Sequence, residues 1–215
     1  ADYYNRKYGS SYVMDNVIIN VGASEALSSC LRTILNSGDE VIIPAPFYPG
    51  YPSMVNLCYA KSIFMDTTKT DFKITSKLLE ENYSDKTKAI LLSNPCNPTG
   101  NVLTLEEMEV IADFVEKRDI FLIADEIYSE LSFYNFYSFS SFEKIKDKVI
   151  IINGFSKSHS MTGWRIGYTI FPLEYRRYFL NTTLYTLSSP MALSIAAAEI
   201  ALEKFEDRKE LMNIY

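Results

Sequence analysis

The chain has 215 residues, of which 47% are hydrophobic and 22% charged, a balance that describes a globular protein rather than a disordered one. A formal net charge of −6 with no basic run weighs against nucleic acid as a partner, and no apolar stretch reaches the roughly 18 residues a membrane span requires. One histidine and three scattered cysteines, Cys30, Cys58 and Cys96, have no metal-ligand spacing; with no signal peptide at the start, they suit reduced thiols and an expected cytoplasmic location.

From the N-terminus, Asp2 to Gly9 reads as the tail of a helix ending at a glycine. Val17 to Val21 is a predicted strand, and Leu27, Cys30, Leu31, Ile34 and Leu35 then share one face of a helix that Gly38 ends. Glu40–Ile43, Ser62–Met65 and Ala89–Ser93 follow as strands. Thr104-Leu105-Glu106-Glu107 is a capping box opening a helix to about Lys117. Ile120–Ala124 and Val149–Ile152 are two more strands, and Tyr168–Phe171 adds another. Leu173–Leu187 and Pro190–Phe205 have helical patterns, and Glu199 to Tyr215 continues in that pattern without a cap. Continuous apolar runs separated by helices predict an α/β fold. The expectation is three α/β/α layers around a mostly parallel central sheet, in a single domain over residues 1–215.

In such a sheet, ligands sit beyond the carboxyl ends of the strands, and polar punctuation falls there. Gly22-Ala23-Ser24 follows the first strand, where small residues let backbone N–H groups and a helix N-terminus approach an anion; Ser24 has the alternative of a plain N-cap. Asn97 lies in Asn94-Pro95-Cys96-Asn97-Pro98-Thr99-Gly100, a stiffened turn from which its amide can donate to a phenolate oxygen or serve an Asx turn. Asp125 emerges after five apolar residues. A buried carboxylate needs a cationic partner such as a pyridinium N–H, and an N-cap or a salt-bridged aspartate is the plainer reading. Tyr128, three residues on, can donate to the same oxygen as Asn97 or be a half-buried core tyrosine. Tyr48, in Pro44-Ala45-Pro46-Phe47-Tyr48-Pro49-Gly50-Tyr51, sits where a rigid aromatic can stack on a flat heterocycle; by spacing alone, Phe47 or Tyr51 can do the same.

Lys157 completes the set. It ends Gly154-Phe155-Ser156-Lys157, just past the run Val149–Ile152, and Gly163-Trp164-Arg165-Ile166-Gly167 follows. A primary amine here can condense with an aldehyde, while Arg165 offers a bidentate fork for phosphate. Aldehyde and phosphate on one small molecule describe pyridoxal 5′-phosphate. A solvated loop lysine beside a structural arginine is the alternative. Trp164 and His159 read as structural.

Together, Asn94–Gly100, Asp125-Glu126-Ile127-Tyr128 and Ser156-Lys157 with Gly163–Gly167 resemble the class I/II aminotransferases, fold-type I pyridoxal phosphate enzymes, over nearly the whole chain. The resemblance implies that Lys157 carries the cofactor covalently and then shuttles the catalytic proton. It implies that Asp125 pairs with the pyridine nitrogen, Asn97 and Tyr128 hold the phenolic oxygen, and Tyr48 stacks on the ring. Ala23, Ser24 and Arg165 would bind the phosphate, with Ser156 also at the cofactor. It further implies transamination between an amino acid and a 2-oxo acid, of aspartate or aromatic type, by a homodimer in amino acid biosynthesis. A carbon–sulfur β-lyase using the same cofactor, and the effector domain of a transcription regulator, are the other readings. Two departures stand out. Gly154 occupies a position where many relatives carry a phosphate-binding serine. The length fits the large, cofactor-binding domain alone, a fragment lacking the N- and C-terminal small-domain segments that include the carboxylate-gripping arginine. Cofactor binding without turnover is therefore also an expectation, and Arg176, Arg177 and Arg208 gain no such role.

Overall fold

The computed structural model describes residues 1–203. Seven strands form one sheet: β1 (Val17–Asn20), β2 (Glu40–Ala45), β3 (Lys61–Asp66), β4 (Thr87–Ser93), β5 (Phe121–Asp125), β6 (Val149–Gly154) and β7 (Gly167–Ile170). Their spatial order is β1-β7-β6-β5-β4-β2-β3. Neighbours are parallel except at β7, which runs antiparallel to both β6 and β1. Consequently β1, β2, β4, β5 and β6 all end at one rim, and β7 begins there.

The helices are α1 (Asp2–Tyr8), α2 (Gly22–Ile34), α3 (Gly50–Asn56), α4 (Ser76–Asn82), α5 (Leu105–Glu116), α6 (Arg176–Thr186) and α7 (Ala192–Glu203). Gly9 closes α1 in the left-handed conformation at φ 68°, and Thr104 with Glu107 forms the expected capping box of α5. The helix expected from Leu173 starts as a tight 3-10 turn, Leu173–Tyr175, before α6 takes over. α3 and α4 have seven residues each, too few to display a helical period in sequence. The expected helical continuation from residue 204 to Tyr215, and Arg208 with it, lies outside the described residues.

Strand residues alternate between two apolar layers because successive side chains point to opposite faces. Ile42, Ile90, Leu122 and Ile151 pack on one face with Leu79 of α4 and Met108, Ile111 and Val115 of α5. Val41, Ile43, Leu91, Ile123 and Ile150 pack on the other with Leu27, Leu31 and Ile34 of α2, Val55 of α3 and Phe179 of α6. With both faces covered, the interior strands read as unbroken apolar runs, and the three-layer α/β/α expectation holds.

Candidate active site

At the end of β1 the chain turns directly into α2. Val21 occupies the N-cap without a side-chain bond, so Ser24 lies in the helix's first turn and is not its cap. The first-turn N–H groups of a helix have no partner within it and favour an anion. Gly22 adopts φ +77°, and a Cβ there would overlap the Arg165 guanidinium. Arg165 is itself left-handed (φ 48°, ψ 57°), following the 3-10 turn Thr162–Trp164, and its Nη1 donates to the Thr162 carbonyl at 2.9 Å. A side chain from the start of β7 is thereby laid across the start of α2.

This crossing needs close backbone contact. A Cβ on Gly167 would sit 2.7 Å from the Gly22 carbonyl carbon, 2.8 Å from the Ala23 nitrogen and 2.9 Å from the Asn153 oxygen. One on Gly154 would sit 2.9 Å from the Ile166 oxygen and 3.0 Å from the Gly167 Cα. Position 154 therefore has no room for a serine side chain, and Ser156 lines the site in its place.

Asp125 is the last residue of β5 and is buried. Its Oδ2 accepts from the Tyr51 hydroxyl at 2.8 Å and its Oδ1 from the Ile127 N–H at 3.2 Å. Burial pushes its carboxyl up to about 6, against the pull of those two donors. It caps no helix: the next one, Ser129–Leu131, has Tyr128 at its N-cap. Asn97 Nδ2 reaches the Tyr128 hydroxyl at 3.4 Å, which brings the two expected phenolate donors together. Burial, then the nearby Asp125 and Tyr48, raise the Tyr128 phenol. The Lys157 Nζ lies 5.9 Å from the centroid of the Tyr128 ring.

Of the three aromatics left open by spacing, Phe47 stacks on Phe64 at 5.0 Å and does not line the site. The Tyr51 ring is buried, with its hydroxyl on Asp125. Tyr48 is half-buried and meets Tyr51 edge-on, with ring centroids 5.5 Å apart.

All nine expected residues, Ala23, Ser24, Tyr48, Asn97, Asp125, Tyr128, Ser156, Lys157 and Arg165, line one cavity of about 310 Å³. Leu27, Tyr51, Ser93, Ile127 and Thr162 complete the lining. Sequence reasoning did not assign Tyr51 to Asp125, and one tyrosine among 16 carries no local signal of such a partner. Trp164 is 49% exposed and stays outside the lining of the cavity. His159 stays outside the lining, with its Nδ1 2.8 Å from the Ser158 hydroxyl. Arg176 pairs with Asp15 at 3.1 Å.

Among the described residues, Asp125, Lys157 and Arg165 take part in no ion pair, with one another or with any other side chain. A carboxylate, an amine and a guanidinium facing one cavity suit a ligand that carries a ring N–H, an electrophilic carbon and an anionic group.

Comparison with known proteins identifies the family. The family model for aminotransferase class I and II matches residues 1–213. The chain is 42% identical over 208 residues to a probable N-acetyl-LL-diaminopimelate aminotransferase of Bacillus subtilis, covering 95% of this chain and 52% of that protein. It is 38% identical over 213 residues to an aspartate aminotransferase of Bacillus sp. strain YM-2, covering 97% and 54%. It thus spans about half the length of the curated relatives it matches. Among solved structures, a mutant aspartate aminotransferase of Thermus thermophilus superposes with a TM-score of 0.93 at 29% identity, covering all of this chain and 59% of that one. An aromatic aminotransferase from Pyrococcus horikoshii gives 0.93 at 30% identity, covering 99% and 59%. The chain belongs to the class I and II aminotransferase family, a family of pyridoxal phosphate enzymes.

Proposed function

We propose that the whole protein is a pyridoxal 5′-phosphate-dependent aminotransferase that moves an amino group between an amino acid and a 2-oxo acid. The carrying observation is that Asp125, Lys157 and Arg165 line one cavity, with no ion pair among the described residues, in a chain of this family. The donor set fits the cofactor. Arg165 and the first turn of α2 at Ala23 and Ser24 would hold its phosphate, with Ser156 alongside. Asp125 would meet the pyridine nitrogen, Asn97 and Tyr128 the phenolic oxygen, and Tyr48 the ring face. Lys157 would anchor its aldehyde carbon. When bound, the cofactor supplies an electron sink that acidifies the hydrogen on the substrate's Cα. Released from the aldehyde carbon as the substrate's amine takes its place, Lys157 would take the proton from Cα and give it up again, as general base and then acid.

Relatives named as aspartate and aromatic aminotransferases support an amino acid of aspartate or aromatic type, and the proposed role is in amino acid biosynthesis. They favour transamination over carbon–sulfur cleavage or a regulator's effector domain. Tyr178, Tyr185, Met191 and Leu193 are each more than 60% exposed and support a homodimer that covers them. No described helix is long and apolar enough to cross a membrane. The scattered cysteines, without disulfides among the described residues, support the cytoplasm as the proposed compartment.

The test is to add pyridoxal phosphate to the purified chain and to Lys157→Ala, reduce both with borohydride, and map the adduct by mass spectrometry. The expected result is a covalent adduct on Lys157 in the parent and none in the variant. A folded parent chain that yields no adduct at Lys157 sinks the assignment.

A further inference from the structure

Tyr51 has no part in the roles above, yet its contact with Asp125 joins residues 74 positions apart in the chain. It stands in the first turn of α3, in the apolar layer that also holds Val55, Ala89 and Leu91, and its ring is 1% exposed. A phenol in such a setting is costly unless its hydroxyl finds a partner, and the partner here is Asp125 Oδ2 at 2.8 Å. The other oxygen, Oδ1, takes the Ile127 N–H of its own loop at 3.2 Å. The carboxylate is thus gripped from two independent elements, which fixes its plane. Each oxygen keeps a second lone pair for another donor.

The titratable and charged groups around Asp125 come from several elements. Tyr48 and Tyr51 come from the segment after β2, Glu126 and Tyr128 from the segment after β5, Lys157 from beyond β6 and Arg165 from just before β7. None of the described ones forms an ion pair with Asp125. Hydrogen bonds therefore favour its charged form against burial, and Tyr51 is the stronger of the two donors acting on it.

We propose that Tyr51 is a positioning residue for the cofactor's pyridine nitrogen: its hydroxyl orients the Asp125 carboxylate and favours its ionised form. This rests on the pyridoxal phosphate reading above. Removing the hydroxyl leaves Asp125 protonated to a higher pH, where it has no charge to offer a ring N–H. Pyridoxal phosphate retention should then fail earlier on the acid side.

The experiment compares the 215-residue chain with Tyr51→Phe, which keeps the buried ring. Pyridoxal phosphate affinity is measured by absorbance across the mildly acidic to mildly alkaline range, with borohydride mapping of Lys157 and apo-protein unfolding in parallel. The expected result is affinity weaker by roughly tenfold near neutrality. The acid-side midpoint of binding should rise by about one pH unit, with the Lys157 adduct still forming. In an Asp125→Asn background, Tyr51→Phe should weaken binding no further, since the two act as one unit. Unchanged affinity and midpoint in Tyr51→Phe overturn the proposal. So does a loss equal at every pH, or failure of the variant to fold, because either assigns Tyr51 a packing role only. A parent chain without a Lys157 adduct overturns the cofactor reading and this inference together. A parent with the adduct beside an unaffected variant overturns this inference alone.

Discussion

Glu126 follows Asp125 and is fully buried, and it is the carboxyl whose replacement should change the pH dependence of stability most. Its oxygens accept from the Ser138 hydroxyl at 2.9 Å, the Phe139 N–H at 3.1 Å and the Tyr4 hydroxyl at 3.1 Å. Burial nevertheless pushes the carboxyl from 4.5 to about 8, with those donors opposing and the neighbouring Asp125 adding to the rise. The folded chain thus holds a proton that the unfolded chain releases between these values. The resulting stability is fully present below about 4.5 and drains away as pH rises through about 8. Each unit inside the window is worth about 1.4 kcal/mol, so raising pH from about 5.5 to about 7.5 should remove roughly 3 kcal/mol. Glu126→Gln stays neutral throughout and retains an acceptor oxygen. Its unfolding free energy minus that of the parent should therefore grow by roughly 3 kcal/mol over that interval, as other groups cancel in the difference. Urea unfolding followed by circular dichroism at several pH values measures it. A difference that stays flat with pH would refute the reasoning, since it would mean that Glu126 is already ionised in the folded chain.

Two further substitutions probe the scaffold. Gly22→Ala forces φ +77° on a residue with a Cβ and pushes against the Arg165 guanidinium. It should cost roughly 1–2 kcal/mol of stability and weaken pyridoxal phosphate binding, whereas Gly163→Ala, with nothing within 4 Å of its Cβ, should change neither; equal behaviour of the two variants contradicts the crossing of Arg165 over α2. Phe179 is 2% exposed and stacks on Phe171 at 4.4 Å, so Phe179→Ala should lower the unfolding free energy by about 3–5 kcal/mol. A loss under about 1 kcal/mol in the same urea assay would mean that α6 is not packed against the sheet.

The interior strands were legible because burial on both faces leaves an unbroken apolar run. Val149–Ile152 and Ala89–Ser93 need no partner to be recognised, and the observed strands extend them by two residues at one end. Most of the site was legible for a related reason. Asp125 and Lys157 are polar residues placed where such runs stop, and strand ends are where a parallel sheet gathers ligands. The seven-residue α3 and α4 were not legible, because two turns hold too few residues to set a period. Periodicity says which residues are buried and is silent about which strand lies beside which. That Arg165 reaches the same rim as Lys157 depends on β7 running antiparallel, so that its start faces the ends of its neighbours. That Gly154 excludes a side chain depends on the backbone of β7 lying against it. The partners of the two buried carboxyls, Tyr51 for Asp125 and Tyr4 for Glu126, stand 74 and 122 positions away. Sequence alone determined that this chain presents an amine, a carboxylate and a guanidinium at strand ends. The tertiary structure decided that they share one cavity and how that carboxylate is held, because hydrogen bonds and steric fit act through distances of a few ångströms that only the order and direction of the strands create.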